Sequence, residues 1–250
     1  SLKDELKNIN YKILMIDLHW YEHSYGAIEV ANLSKEINPN VPIIIGGITS
    51  TIFSKEILEN FNSIDYILKG DSEKPLIDLV EYIILNKGNL NDIENITYRF
   101  KNEIINKELT YCLEDLDSID YVNHDYLKNS VLYQYTNTVG VDLNRDKSGW
   151  IYIGRGCKHN CLYCDSARSN MITLWGKEKM TYRSAKKVAS DIIEFANLGV
   201  EVVRFSHDLE MFGKEYYQEI FKIVREANIK IGFNYDCFQL PSKHFIDELR

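Results

Sequence analysis

Ile151-Tyr152-Ile153-Gly154-Arg155-Gly156-Cys157-Lys158-His159-Asn160-Cys161-Leu162-Tyr163-Cys164 is the most informative stretch of this sequence. It starts as an apolar run, passes two glycines and places three cysteines at Cys-x3-Cys-x2-Cys spacing. Three thiolates on one short loop repel each other unless a metal neutralises them. Sulfur donors select zinc, copper(I) or an iron–sulfur cluster. A closed structural zinc site takes four ligands. His159 could be the fourth, but only two residues after Cys157 it would strain the loop. Three cysteines suit a cubane that leaves one iron for another ligand.

The sequence around this loop alternates between two periods. Residues 150–153 read as a strand. Residues 184–198 read as a helix, with Ser184 as N-cap and Gly199 as its stop. A strand over 200–205, a helix over 214–227 and a strand over 230–235 follow. Upstream, 11–17 (YKILMID) is a continuous apolar run, the mark of a strand covered on both faces. Helices over 25–37 and 53–61, and strands over 42–45 and 65–68, come next. The second strand ends in Gly46-Gly47. A turn at Gly70-Asp71-Ser72-Glu73 leads to a helix over 76–85, with Pro75 in its first turn, where its missing N–H is harmless. Strands spaced by helices of this length imply βαβ units and parallel sheets. The cysteine loop then lies at the carboxyl end of a strand, where α/β active sites form.

Between the two series the pattern changes. Residues 95–100 and 103–112 read as a hairpin around Lys101-Asn102. Residues 113–129 are acidic, tyrosine-rich and weakly periodic, a connector. The expected domains are 1–92, a linker with the hairpin over 93–148, and 149–250.

The 250 residues are 45% hydrophobic and 26% charged, enough to build a core. The net charge of −8 argues against nucleic acid or an anionic membrane as the main partner. No apolar run reaches the length of a membrane span, and residues 1–10 lack a signal-peptide core. The odd count of five cysteines, three of them clustered, suggests a reducing compartment rather than a disulfide framework. A cytoplasmic location is therefore expected. Ser1 is not an initiator methionine and 241–250 is an uncapped helical pattern, so the chain is expected to be a fragment.

With its aromatic Tyr163 just before the last cysteine, the motif resembles the signature of radical S-adenosylmethionine enzymes. The resemblance implies a partial (βα)6 barrel, here its first half, with Cys157, Cys161 and Cys164 holding a 4Fe–4S cluster. The open iron would bind S-adenosylmethionine, and Tyr163 would pack near the adenine. A reductant such as flavodoxin or ferredoxin is implied, with an unknown substrate. The family's Gly-Gly-Glu-like stretch is replaced here by Ser206-His207-Asp208-Leu209-Glu210. Asp208 is the candidate substitute for the methionine contact, its alternative being a helix-initiating cap, and Glu210 is a second candidate.

The run 41–76 resembles the later part of the cobalamin-binding domain that precedes many such barrels, a Rossmann-like parallel sheet. This implies cobalamin contacts from Gly46, Gly47, Thr51, Gly70 and Glu73, the glycines allowing close backbone approach. Asp17-Leu18-His19 matches only half of the family's cobalt-ligating motif, so His19 reads as a polar strand-end residue. The implied reaction is reductive cleavage of S-adenosylmethionine, followed by methyl transfer or a radical rearrangement. The alternatives are a structural zinc module and a non-catalytic cobalamin or nucleotide carrier. Cys112 and Cys237 read as buried small residues. His207 reads as a hydrogen-bonded structural residue, with cofactor or substrate contact as its alternative. Asn234 and Asp236 are expected near the same strand ends, and Arg155 is expected either to brace the cysteine loop or to balance the charge of a cluster.

Overall fold

Apolar runs bounded by glycine and asparagine form short parallel strands in the computed structural model, which describes residues 1–122 and 148–249. Residues 123–129 of the expected connector and most of the linker's second half lie outside the described residues. The chain divides into two compact units, Ser1–Leu113 with His159–Lys179, and Glu114–Lys158 with Met180–Arg250.

The first unit begins with α1 (Leu2–Asn8), capped by Ser1 and Asp4 in a reciprocal capping box. It continues through β1 (Leu14–Asp17), α2 (Ser24–Ile37), β2 (Ile43–Gly46), α3 (Ile48–Ile52), α4 (Ser54–Asn60), β3 (Tyr66–Leu68), α5 (Glu73–Leu85), β4 (Ile96–Phe100) and β5 (Glu103–Asn106). The sheet order is β1-β2-β3-β4-β5. The first three strands are parallel and the last two antiparallel. Strand period separates the two cores. Ile43, Ile45 and Ile67 face Ala27, Ala31, Ile57 and Leu58 of α2 and α4. Ile44 and Leu68 face the other way, toward Leu79 of α5. Each fully buried side chain of this kind contributes about 1.5–3 kcal/mol.

The expected helix over 53–61 forms as α4, and a short helix that the sequence pattern does not predict, α3, precedes it and meets it at Phe53. The hairpin supplies the last two strands of this sheet, because β4 finds an open edge on β3, with Ile67 opposite Thr97. Asn95 makes that junction possible. It is fully buried, takes the left-handed conformation (φ 52°) and uses both ends of its amide. Its Nδ2 donates to the carbonyls of Asp71 and Tyr111, and its Oδ1 accepts from the backbone of Thr110 and Tyr111.

The second unit holds β6 (Ser148–Ile151), β7 (Gly154–Arg155), β8 (Thr181–Tyr182), α7 (Ala185–Asn197), β9 (Val202–Phe205), α8 (Lys214–Glu226), β10 (Gly232–Asn234) and α9 (Lys243–Glu248). Strands β6, β9 and β10 form a parallel sheet with β9 in the centre, while β7 and β8 form a separate antiparallel pair. Ile151, Val203 and Phe205 pack with Val188, Ile192 and Phe195 of α7, Ile220 and Phe221 of α8, and Phe245 of α9. Ser184 caps α7 as expected, accepting from the Lys187 backbone. The opposite face of this sheet carries Arg204, stacked 4.8 Å over Trp150.

Candidate metal centre

The approach to the first cysteine is held by backbone and polar groups of the second unit. Ser206 N–H donates to the Ile151 carbonyl at 2.9 Å, and Arg183 N–H to that of Ile153 at 2.8 Å. A side chain at Gly154 would stand 2.5 Å from the Thr181 carbonyl of β8, so only glycine fits there. Gly156 has φ +83°, a conformation that glycine adopts without strain. Arg155 does brace the loop, donating from Nε to the Tyr152 hydroxyl at 2.7 Å. The Tyr121 hydroxyl accepts from the Tyr152 backbone at 2.9 Å.

Beyond Cys157 the chain runs through consecutive turns. Cys164 N–H donates to the Cys161 carbonyl at 3.2 Å, and Ala167 N–H to that of Cys164 at 3.0 Å. Asn170 Nδ2 donates to the same Cys164 carbonyl at 2.9 Å. Cys161 is exposed, Cys157 and Cys164 are half-buried, and none is in a disulfide. Among the described residues, no three Cys, His, Asp or Glu side chains converge as metal ligands would. The chemistry of the donor set, three thiols on one turn-rich loop, fits the sulfur coordination of an iron–sulfur cluster. Tyr163 is 93% exposed, so its ring face is open for stacking.

The segment His159–Lys179, with Cys161 and Cys164, belongs to the first unit. It carries α6 (Met171–Trp175), which ends at Gly176 in the left-handed conformation. Lys177 Nζ lies 3.2 Å from Asp71 Oδ2, an almost wholly buried ion pair. The same oxygen accepts from the Leu113 backbone at 3.0 Å. Cys112, half-buried rather than buried, donates from Sγ to the Trp175 carbonyl at 3.0 Å. Nothing in the local sequence pairs Asp71 with a lysine 106 residues away.

The strand-end residues expected at a cofactor mostly touch one another. Thr51 Oγ1 donates to the Gly47 carbonyl at 2.8 Å and accepts from the Gly70 backbone at 3.0 Å. Gly47 has φ +113°, and a side chain on it would stand 2.6 Å from the Leu18 carbonyl group. The close approach it permits is therefore to this chain's own backbone. Gly70 is likewise crowded by the Leu174 carbonyl at 3.2 Å. Gly46 differs: a side chain on it would meet only the Leu68 carbonyl, at an ordinary contact distance of 3.8 Å. Glu73 opens α5. A cavity of about 580 Å³ beside Thr51 is lined by polar Lys69, Asn106 and Thr173 and by apolar Ile52, Leu109 and Ile172. Burial lowers the Lys69 pKa, against an opposing pull from Glu108. The His19 carbonyl accepts from Thr49, in keeping with a strand-end role.

Asp208 sits at the end of β9 and is only 1% exposed. Its Oδ1 accepts from the Glu210 backbone and the Tyr235 hydroxyl, and its Oδ2 from the Phe238 backbone. It caps the turn 209–212, the alternative role, and both oxygens are engaged within the protein rather than open to S-adenosylmethionine. Glu210 accepts from the Ser242 backbone. Burial and the Asp208 carboxylate raise the Tyr235 pKa. Asn234 lies beside Arg204 in the β9–β10 register, and Asp236 accepts from Arg204 Nη2 at 2.7 Å. Cys237 is exposed, contrary to expectation, because it follows β10 on an open segment. His207 is hydrogen-bonded at both ring nitrogens, to Ser206 and to the Gly156 carbonyl. Burial lowers its pKa, opposed by the Gly156 bond.

Sequence reasoning missed one further group. Arg183 and Asp191, both fully buried, pair at 2.6 Å, with Lys187 at 3.1 Å from the same carboxylate. The Arg183 guanidinium lies 4.7 Å from the Tyr121 ring centroid and donates to the Ile119 carbonyl. Only the unusual charge at an apolar helix start could have signalled it.

The comparisons with known proteins agree with this architecture. An anaerobic magnesium-protoporphyrin IX monomethyl ester cyclase of Synechocystis is 25% identical over 207 residues, 79% of this chain and 36% of that protein. An uncharacterised methyltransferase of Pyrococcus horikoshii is 23% identical over 84% of this chain and 42% of that protein. The chain thus spans well under half the length of these relatives. Among solved structures, the radical S-adenosylmethionine methyltransferase TsrM of Kitasatospora setae matches with TM-score 0.62 at 15% identity, over 91% of this chain and 42% of that one. The cobalamin-dependent S-adenosylmethionine radical enzyme OxsB matches with TM-score 0.62 at 14% identity, over 99% of this chain and 34% of that one. At these identities the structural likeness carries the fold. The family model for the Radical SAM superfamily matches residues 151–250, which include the whole cysteine motif and the strands β9 and β10 that follow it. Residues 151–250 are therefore the part of the chain that is similar to the radical SAM superfamily.

Proposed function

We propose that this chain is part of a radical S-adenosylmethionine enzyme in which Cys157, Cys161 and Cys164 hold a 4Fe–4S cluster. The observation that carries the reading is the placement of three thiols, none in a disulfide, on the loop that leaves the carboxyl end of β6. Held by these three thiols, a cluster would supply the one-electron reduction, drawn from a reductant such as flavodoxin or ferredoxin, that cleaves S-adenosylmethionine to methionine and a 5′-deoxyadenosyl radical. Tyr163 offers its exposed ring to the adenine. Asp208 keeps the end of β9 in place and leaves the methionine end of the ligand to other groups.

The first unit is proposed to bind cobalamin, with Gly46 giving the open approach and Gly47, Thr51 and Gly70 shaping the turn behind it. The reaction would then be methyl transfer to an unactivated carbon or a related rearrangement. Support comes from the relatives' names and from TsrM, whose solved structure is described with cobalamin and a [4Fe-4S] cluster bound.

Iron and sulfide analysis of the anaerobically reconstituted chain, with electron paramagnetic resonance before and after adding S-adenosylmethionine, tests the cluster. About four irons per chain are expected, with a spectrum that changes on addition. Cys157→Ser, Cys161→Ser and Cys164→Ser should each lose most of the iron. Stoichiometric zinc, or a spectrum indifferent to S-adenosylmethionine, overturns the reading in favour of a structural metal module. Equilibrium dialysis with hydroxocobalamin tests the second part: binding weakened by Gly46→Leu is expected, and no binding refutes it.

A further inference from the structure

A directional hydrogen-bond chain links the end of β9 to the peptide that precedes Cys157. Ile153 N–H donates to Ser206 Oγ at 3.0 Å. Ser206 Oγ lies 2.8 Å from His207 Nδ1, and His207 Nε2 lies 2.9 Å from the Gly156 carbonyl oxygen. A carbonyl only accepts, so the imidazole proton sits on Nε2. Nδ1 must then accept the Ser206 hydroxyl proton, while the Ser206 oxygen takes the Ile153 N–H. Every group in the series has one compatible role. The ring is largely buried and meets Phe212 edge-on, with centroids 6.0 Å apart, so it has little freedom to turn.

Gly156 lacks a side chain that could anchor its peptide, and its φ of +83° is one of several angles open to glycine. The peptide plane joining Gly156 to Cys157 is rigid. Holding the Gly156 oxygen therefore also fixes the direction of the Cys157 N–H and the point from which the Cys157 side chain departs. Hydrogen bonds and ligand orientation around cluster sulfurs set the reduction potential.

We propose that His207 is the positioning residue for Cys157, acting through the Gly156 carbonyl, with Ser206 fixing its tautomer. This rests on the reading of Cys157 as a cluster ligand, but the hydrogen-bond chain belongs to the protein without metal and is testable there.

Nitrogen-15 NMR of the full chain without iron should find His207 as the Nε2–H tautomer. In the same sample, alkylation of Cys157 by iodoacetamide, normalised to Cys161 by peptide mapping, should change in His207→Leu and return toward wild type in His207→Gln, whose amide can donate to Gly156. After reconstitution, His207→Leu should lose iron to a chelator about tenfold faster, the equivalent of one buried hydrogen bond, with a shifted midpoint potential. His207→Gln should recover most of both. Ser206→Ala leaves the ring in place and should give a smaller effect of the same sign, about threefold, which keeps the test open if His207→Leu does not fold. An Nδ1–H tautomer overturns the proposal. So do variants that match wild type in alkylation, iron loss and potential. If wild type takes up no iron, the cluster reading fails by itself, and the tautomer and alkylation results still decide the role of His207.

Discussion

The Gly46-Gly47 pair after β2 and the Gly154 and Gly156 pair around Arg155 look alike in sequence, since both mark the end of a strand where the backbone needs room. In the first unit, Gly47 is required by the Leu18 backbone, while a side chain on Gly46 beside it would make only an ordinary contact with the Leu68 carbonyl. In the second unit, Gly154 is required by the Thr181 carbonyl of β8, and Gly156 by its own dihedral. Three of the four glycines thus serve internal packing or geometry, and at the fourth, Gly46, a side chain would fit without a clash. A glycine at a strand end reports crowding or backbone strain, and only its spatial neighbours say from what.

The largest effect should come from what keeps β8 over Gly154. Arg183 follows β8 and is buried against Asp191. Arg183→Met leaves that carboxylate without its main partner and should cost about 3–5 kcal/mol in urea unfolding. Adding Asp191→Leu should recover much of the loss. If the single variant is near neutral, β8 is held by its backbone alone.

The sharpest contrast lies inside the first pair. Gly47→Ala should destabilise by about 3 kcal/mol, because it combines an unfavourable φ with a clash against fixed backbone. Gly46→Ala should change stability by less than about 0.5 kcal/mol. Equal effects would remove the distinction between the two glycines. Ser184→Ala, which removes the hydroxyl cap of the helix following β8, should cost about 1 kcal/mol, read from the thermal midpoint.

The smallest effect is on pH dependence. Burial depresses the pKa of His207 in the folded protein. The neutral ring therefore contributes stability that is fully present above the unfolded value of about 6.5 and is lost as pH falls from there through the folded value. Urea midpoints at pH 7.5 and 5.5 should show a smaller difference in His207→Gln than in wild type. An unchanged difference would assign the acid sensitivity to other groups.

Much of this was legible before any coordinates. Ser184 as N-cap, the strands around 43–46 and 202–205, and the hairpin near Lys101 follow from local pattern, because capping and side-chain period act within a few residues. Asp208 was readable only as two alternatives. Choosing between them required Tyr235 and Phe238, nearly thirty residues away. The helix over 53–61 is legible too, but the exposure of Cys237 and the short helix over 48–52 are not, since burial and isolated turns depend on what packs nearby. The Asp71–Lys177 pair had no sequence signal at all.

By itself the sequence determined the alternation of strands and helices, and it determined the thiol spacing that points to a cluster. Both are set by period and by chemistry along the chain. Only the tertiary structure decided that the hairpin completes the first sheet, that Gly47 faces Leu18, and that His207 reaches the Gly156 carbonyl. Those facts depend on atoms far apart in sequence, and local pattern does not encode which distant backbone will fill the space a missing Cβ leaves.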